Sequence, residues 1–177
     1  MNLTEKTVRK NTVYAGKIIR VRCDDALLPD GKPCRREVVE HPGGASVLYV
    51  REGKVLLVRQ FRYPYGEETL EIPAGKLDPG EDPAHTAARE LAEETGWEPA
   101  SVQHLYTIYP TPGYSAEKIY IYRAHGVRAG AVHPDADEFL TSAFYPVEDV
   151  LAMIERGEIR DAKTIIAVQS LRLSGEA

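Results

Sequence analysis

Glu90, Glu93 and Glu94 stand in the run Arg89-Glu90-Leu91-Ala92-Glu93-Glu94. Helical geometry would place the three carboxylates within an arc of about 100° on one face. Like charges at that spacing destabilise a helix by about 0.2 to 0.5 kcal/mol per pair, so the cluster is a poor device for stability. A hard divalent cation would turn the repulsion into coordination. Magnesium takes oxygen ligands, keeps several waters, and is usually held by a few carboxylates together with substrate phosphates. The plainer alternative is a solvated acidic face, with Arg89 and Glu93 forming a surface ion pair worth about 0.3 to 0.5 kcal/mol.

The element that must carry these groups has legible ends. Asp82 is a good N-cap, Pro83 suits the first helical position, and Gly96 can take the left-handed conformation that closes a helix. This predicts a helix over Pro83–Thr95. Ala84, Ala87, Ala88, Leu91 and Thr95 fall on its other side and are small enough to let it lie close against a sheet. Before it, Thr69 to Ile72 reads as a short strand ending in Pro73-Ala74-Gly75. The Ala74 carbonyl there sits just before the helix's loop, where it is a candidate further hard ligand.

The whole run from Gly75 to Trp97 resembles the signature of the Nudix hydrolases. The matching positions are Gly75, Glu81, Arg89, Glu90, Leu91, Glu93, Glu94, Gly96 and Trp97, and each fixed position is filled, Trp97 being a bulkier choice at the last. The resemblance implies coordination of Mg2+, with Mn2+ as a substitute, by Glu90, Glu94 and the Ala74 carbonyl. Glu93 would add a water or a further ligand, and Arg89 would orient the carboxylates. A general base or closing ligand is expected from the acidic loop His133 to Glu138. Glu138 is the first candidate there, then Asp137 and Asp135, with Glu93 a rival on the helix.

A Nudix signature implies hydrolysis of a nucleoside diphosphate linked to another group. Leu70-Glu71-Ile72-Pro73-Ala74-Gly75, together with Pro112 sixteen residues beyond Gly96, resembles the ADP-ribose pyrophosphatase group, as does the loop Thr111 to Glu117. On that resemblance Glu71, Thr111, Gly113 and Glu117 are substrate-binding candidates, and ADP-ribose would be cut to AMP and ribose 5-phosphate. Another nucleotide sugar, such as GDP-mannose, shares much of this layout. A nucleotide-sensing domain that does not cut is the third reading, and the intact acidic cluster speaks against it.

Ahead of the catalytic stretch, Thr7 to Tyr14, Lys17 to Leu28 and Cys34 to His41 read as a three-strand antiparallel meander turning at Pro29-Asp30-Gly31-Lys32. Pro42-Gly43-Gly44 punctuates the chain, so residues 1–43 are expected as a small N-terminal sheet and 44–177 as the Nudix domain. So small a sheet needs a cover for its apolar face, either a second subunit or the same chain's catalytic domain. The resemblance supplies one, because ADP-ribose pyrophosphatases build a homodimer with a similar N-terminal sheet. Arg36 and Glu37 resemble the place where related enzymes offer polar groups to the neighbouring subunit's ligand.

Ala45 to Val50 and Val55 to Phe61 are expected as a hairpin about Glu52-Gly53, with Val55 to Val58 buried on both faces. Arg59 and Arg62 follow, candidates to clamp a phosphate or face a carboxylate bidentately. Strands Ser101 to Tyr109, Glu117 to Ala124 and Phe139 to Tyr145, then helices Val147 to Arg156 and Lys163 to Leu173, complete an α/β chain. The expected architecture is a Nudix-type α/β/α sandwich with a mixed sheet, preceded by the antiparallel one.

Composition limits the remaining classes. At 177 residues, 43% hydrophobic and 28% charged, the chain fits an ordinary globular protein. Its net charge of −5 argues against nucleic acid as a partner while allowing a local pocket for a small phosphate compound. The N-terminus lacks the apolar core of a signal peptide and no stretch is long enough for a membrane span, so the cytoplasm is the expected location. Cys34 is expected opposite Leu27, too far from Cys23 for a disulfide. No spacing of histidines suggests zinc.

Overall fold

The computed structural model describes residues 2–131 and 139–175. The chain divides into two compact units, one of residues 1–43 with 109–118, the other of residues 44–108 with 119–177. The first thus takes in a segment that the sequence reading assigned to the catalytic domain.

In the first unit, β1 (Lys6–Arg9), β2 (Thr12–Ala15), β3 (Arg20–Leu27) and β4 (Pro33–Glu40) form an antiparallel sheet. β4 pairs with β3 along its whole length, while β1 and β2 pair with successive parts of β3. The single first strand expected over Thr7–Tyr14 is therefore broken. At the break, Asn11 donates its backbone N–H to Asp24 Oδ1 (3.1 Å) and its side-chain amide to the Cys23 carbonyl (3.1 Å), replacing regular ladder bonds. Cys34 stands opposite Ala26 instead of Leu27, because the turn closes with Leu27 opposite Pro33; Cys23 faces Glu37. The segment 109–118 joins this unit through the Val39 N–H to the Tyr114 carbonyl (2.8 Å) and the Ala116 N–H to the Val39 carbonyl (2.9 Å).

The second unit contains β5 (Gly44–Leu48), β6 (Val50–Arg51), β7 (Lys54–Arg62), β8 (Glu67–Glu71), β9 (Ala74–Lys76), α1 (Pro83–Thr95), β10 (Trp97–Glu98), β11 (Ser101–Ile108), β12 (Ile119–His125), β13 (Arg128–Ala129), β14 (Leu140–Pro146), α2 (Val147–Glu155) and α3 (Ala162–Ser174). One sheet runs β11-β12-β5-β9, with β12 and β5 parallel and the other pairs antiparallel. In the second, β7 pairs with β14, β6 and β8. The expected hairpin of Ala45–Val50 with Val55–Phe61 is shorter in the structure: the chain changes sheets at Tyr49, whose carbonyl accepts the Leu56 N–H at 3.0 Å, and Val50 and Arg51 pair with β7. Glu52 and Gly53, at φ 51° and 71°, make the left-handed turn between them.

Strand alternation sends side chains into two cores. Ala45, Val47, Tyr49, Leu56, Tyr122 and Ala124 pack with Ala87 and Leu91 of α1. Leu48, Val55, Leu57, Leu70 and Ile121 pack with Val150 and Leu151 of α2 and Ala167, Val168 and Leu171 of α3. This is the α/β/α arrangement with a mixed sheet, and it explains why Val55 to Val58 form an unbroken apolar run. Fully buried leucines such as Leu56 and Leu57 each contribute about 1.5 to 3 kcal/mol by leaving water.

Helix α1 keeps its expected bounds for the expected reasons. The Asp82 side chain accepts from the Ala84 N–H, Pro83 opens the helix, and Gly96 closes it at φ 73° with its N–H on the Ala92 carbonyl. Among the described residues no helix is long and apolar enough to cross a membrane.

Candidate active site

The three-residue strand β9 sets the geometry of the site. It lies antiparallel to β5, with Ala74 opposite Ser46 and Gly75 opposite Ala45, and the Val47 N–H holds the Pro73 carbonyl at 2.9 Å. Helix α1 packs on it and brings two carboxylates to its backbone. A Cβ placed on Gly75 would lie 1.8 Å from Glu90 Oε1, so only glycine leaves room for that carboxylate. One residue earlier, the Ala74 N–H donates to Glu94 Oε2 at 3.2 Å.

Glu90 and Glu94 are therefore 6% and 3% exposed, and the reading of a merely solvated acidic face does not hold. Burying carboxylates costs several kcal/mol unless partners compensate. Glu93 stays more open.

Arg89 ties the cluster together. Its Nη1 lies 2.9 Å from Glu90 Oε1 and 2.7 Å from Glu93 Oε2, and its Nε lies 3.1 Å from Glu81 Oε1. Far from being a plain surface pair with Glu93, it is shared among three carboxylates. Glu81 also accepts the Asp78 N–H at 3.1 Å and meets His85 Nδ1 at 2.9 Å. The Arg89 hydrogen bonds hold the Glu81 carboxyl well below the usual carboxylate range, and Glu81 in turn raises Arg89. The sequence analysis gave Glu81 no role of its own, although it fills a fixed position of the signature; it lies just ahead of the Asp82 N-cap, within reach of His85 and Arg89.

A second charged cluster surrounds the end of β8. Arg62 grips Glu71 bidentately, Nε to Oε1 and Nη2 to Oε2, both at 2.7 Å, and the Thr69 hydroxyl adds a bond at 2.6 Å. Lys163 also contacts Glu71 and lies 2.9 Å from Asp161 Oδ1. Burial at 2% exposure would raise the Glu71 carboxyl, but the Arg62 fork and Lys163 outweigh it and hold the pKa lowered to about 2. Of the two arginines expected to clamp a phosphate or face a carboxylate, Arg62 does the latter. Arg59 is half-exposed, 3.8 Å from Glu68. Lys163 and Asp161 were missed. The N-cap Asp161 was legible locally, but nothing in the sequence joins it to Glu71.

The remaining candidates lie in the first unit. Arg36 bonds Glu5 through Nε at 2.9 Å and Nη2 at 2.5 Å, and Glu37 sits on β4 opposite Cys23. The Thr111 carbonyl accepts the Ser115 N–H at 3.0 Å, Gly113 borders open space, and Glu117 Oε1 lies 3.3 Å from His41 Nδ1. Glu138, Asp137 and Asp135 lie outside the described residues.

Among the described residues, no three Asp, Glu, His or Cys side chains are gathered closely enough to hold a metal ion by themselves. Glu90 and Glu94 packed on the β9 backbone nevertheless present the all-oxygen donors that suit a hard cation, one that completes its shell with water and phosphate. The space left by the missing Gly75 side chain is taken by such a donor.

Comparison with known proteins agrees with this geometry. A model described as NUDIX domain matches residues 39–168, and one described as nucleoside diphosphate sugar hydrolase N-terminal domain matches residues 5–45. An ADP-ribose pyrophosphatase of Bacillus subtilis (strain 168) is 41% identical over 175 residues, covering 97% of this chain and 95% of that one. A methanol dehydrogenase activator of Bacillus methanolicus is 40% identical, covering 96% and 93%. A solved structure titled as an ADP compounds hydrolase superposes with a TM-score of 0.85 over all of both chains, at 20% identity, and speaks to the fold. The matched domain spans most of the sequence and the acidic helix carries its full signature, so the chain belongs to the Nudix hydrolase family.

Proposed function

We propose that the chain is a Mg2+-dependent pyrophosphatase that hydrolyses ADP-ribose to AMP and ribose 5-phosphate. The observation that carries this reading is the burial of Glu90 and Glu94 against the Ala74-Gly75 backbone, costly for the fold and suited to a cation. The choice of ADP-ribose rests on the activity named for the Bacillus subtilis relative and on Leu70 to Gly75. The Bacillus methanolicus relative is nearly as similar under a different description, so substrate choice is what the experiment must decide.

A diphosphate resists water because its negative oxygens repel a nucleophile. A divalent ion, generally used by this family, would neutralise those oxygens and lower the pKa of a water when bound. Glu90, Glu94 and the Ala74 carbonyl would hold it, and Mn2+ would substitute. Arg89 orients the Glu90 and Glu93 carboxylates through its ion pairs. Glu138 takes the proton from the attacking water, with Asp137, Asp135 and Glu93 as the competing bases. Water adds across the P–O–P linkage: its hydroxyl goes to one phosphorus, and the proton taken by Glu138 passes to the leaving phosphate oxygen.

Residues 1–43 and 44–177 act as a dimerisation sheet and a catalytic domain in a cytoplasmic homodimer. Support comes from the exposed residues of β1 and β2, where Val8, Val13 and Tyr14 are all more than half exposed. Arg36 and Glu37 then serve substrate binding in the dimer, with Arg59, Arg62, Glu71, Thr111, Gly113 and Glu117. Sedimentation as a monomer contradicts the dimer.

The activity is tested with a panel of ADP-ribose, GDP-mannose and other nucleotide sugars in Mg2+, followed by phosphate release with alkaline phosphatase. ADP-ribose is expected to have the highest kcat/KM. A preference for GDP-mannose overturns the substrate, and no turnover of any compound overturns the enzyme.

A further inference from the structure

The backbone Ile72-Pro73-Ala74, just ahead of the proposed metal site, is gripped from both layers of helices. The Ala74 N–H goes to Glu94 of α1, and the Ile72 N–H goes to Thr164 Oγ1 of α3 at 2.8 Å. The Thr164 grip belongs to a closed ring. Its hydroxyl donates to Asp161 Oδ2 at 2.6 Å, and the same carboxylate caps α3 through the Thr164 N–H at 3.0 Å. Asp161 Oδ1 accepts from Lys163 Nζ at 2.9 Å, and Lys163 reaches Glu71, the residue bonded to Ile72.

Two carboxylates, those of Glu71 and Asp161, pair with this lysine. Lys163 is only 7% exposed, and a buried ammonium is expensive. It also lies in the first turn of α3, the positive end of the helix dipole, where a cation is disfavoured. The ring joins α3 to the backbone ahead of the site, across a sequence separation of 92 residues between Glu71 and Lys163. Arg62, the other cation on Glu71, is raised above its ordinary value chiefly by its hydrogen bonds to Glu71, with smaller effects from the charges of Asp161 and Glu94.

We infer that Lys163 is a positioning residue: with Glu71, Asp161 and Thr164 it fixes the Ile72–Ala74 backbone and so aims the Ala74 carbonyl and the Glu94 carboxylate at the divalent cation. The inference rests on the metal-site reading above. Groups that orient metal ligands without touching the metal change affinity by about 10- to 100-fold when removed. Lys163 acts on metal binding before any substrate arrives.

The test is Mn2+ binding to the full chain without substrate, read by electron paramagnetic resonance, in wild type, Lys163→Met, Lys163→Arg, Thr164→Val and Glu94→Gln. Circular dichroism melts check that each variant is folded. Lys163→Met and Thr164→Val are expected to bind about tenfold or more weakly, with Lys163→Arg restoring most of the affinity. Thr164→Val, nearly isosteric and outside the ion pairs, decides the matter if Lys163→Met does not fold. Folded variants that bind Mn2+ within twofold of wild type, while Glu94→Gln binds weakly, overturn the positioning role alone. Wild type that binds no Mn2+, or binds it no better than Glu94→Gln, overturns the metal site itself and this inference with it.

Discussion

The Glu90 carboxylate occupies the space where a side chain on Gly75 would stand, with Oε1 only 1.8 Å from the position of that missing Cβ. A glycine required at one end of the signature and a glutamate required fifteen residues later are thus two halves of one contact.

Gly75→Ala therefore displaces Glu90 from β9. The expected result is a loss of kcat/KM of at least about 100-fold and a destabilisation of about 1 to 3 kcal/mol, checked by initial rates and urea unfolding. Alanine tolerated with normal activity would show that Glu90 need not lie on that backbone.

Glu71 makes stability depend on pH. Its folded-state pKa is lowered from 4.5 to about 2, so its contribution is present above about pH 4.5 and is lost as pH falls toward 2. The linkage amounts to about 3 kcal/mol. Wild type minus Glu71→Gln should show an unfolding free-energy difference of that size at pH 7, shrinking below pH 4.5. A difference that is flat from pH 7 to 2.5 would contradict the ionised, partnered state of Glu71.

Local signals were legible and long-range ones were not. The bounds of α1 follow from Asp82, Pro83 and Gly96, whose effects act within one helical turn, and the acidic cluster from spacing on a single helix. The sheet switch at Tyr49 was invisible because an apolar strand does not say which sheet it joins. Strand β9 is too short to show alternation, and the break at Asn11 depends on a side chain reaching the opposite strand. Lys163 was legible only as the start of a helix, since its partner Glu71 is far away in sequence. Segment 109–118 read as a loop of the catalytic domain because its bonds to Val39 span 75 residues or more.

The identity of the general base separates two variants. Glu138→Gln is expected to lower kcat by about 100-fold or more with little change in KM, because a base acts in the transition state. Glu93→Gln should retain more activity. The reverse ranking in steady-state kinetics moves the base onto α1.

The most direct measurement follows ADP-ribose by ion-exchange chromatography, with wild type and Glu94→Gln in saturating Mg2+ and matched melting curves. Wild type should release AMP and ribose 5-phosphate in equal amounts. Glu94→Gln should be slower by at least about 100-fold while folding as well as wild type or slightly better, since it removes a buried charge. AMP release by Glu94→Gln within tenfold of wild type, or none by wild type, would contradict hydrolysis at the Glu90 and Glu94 site.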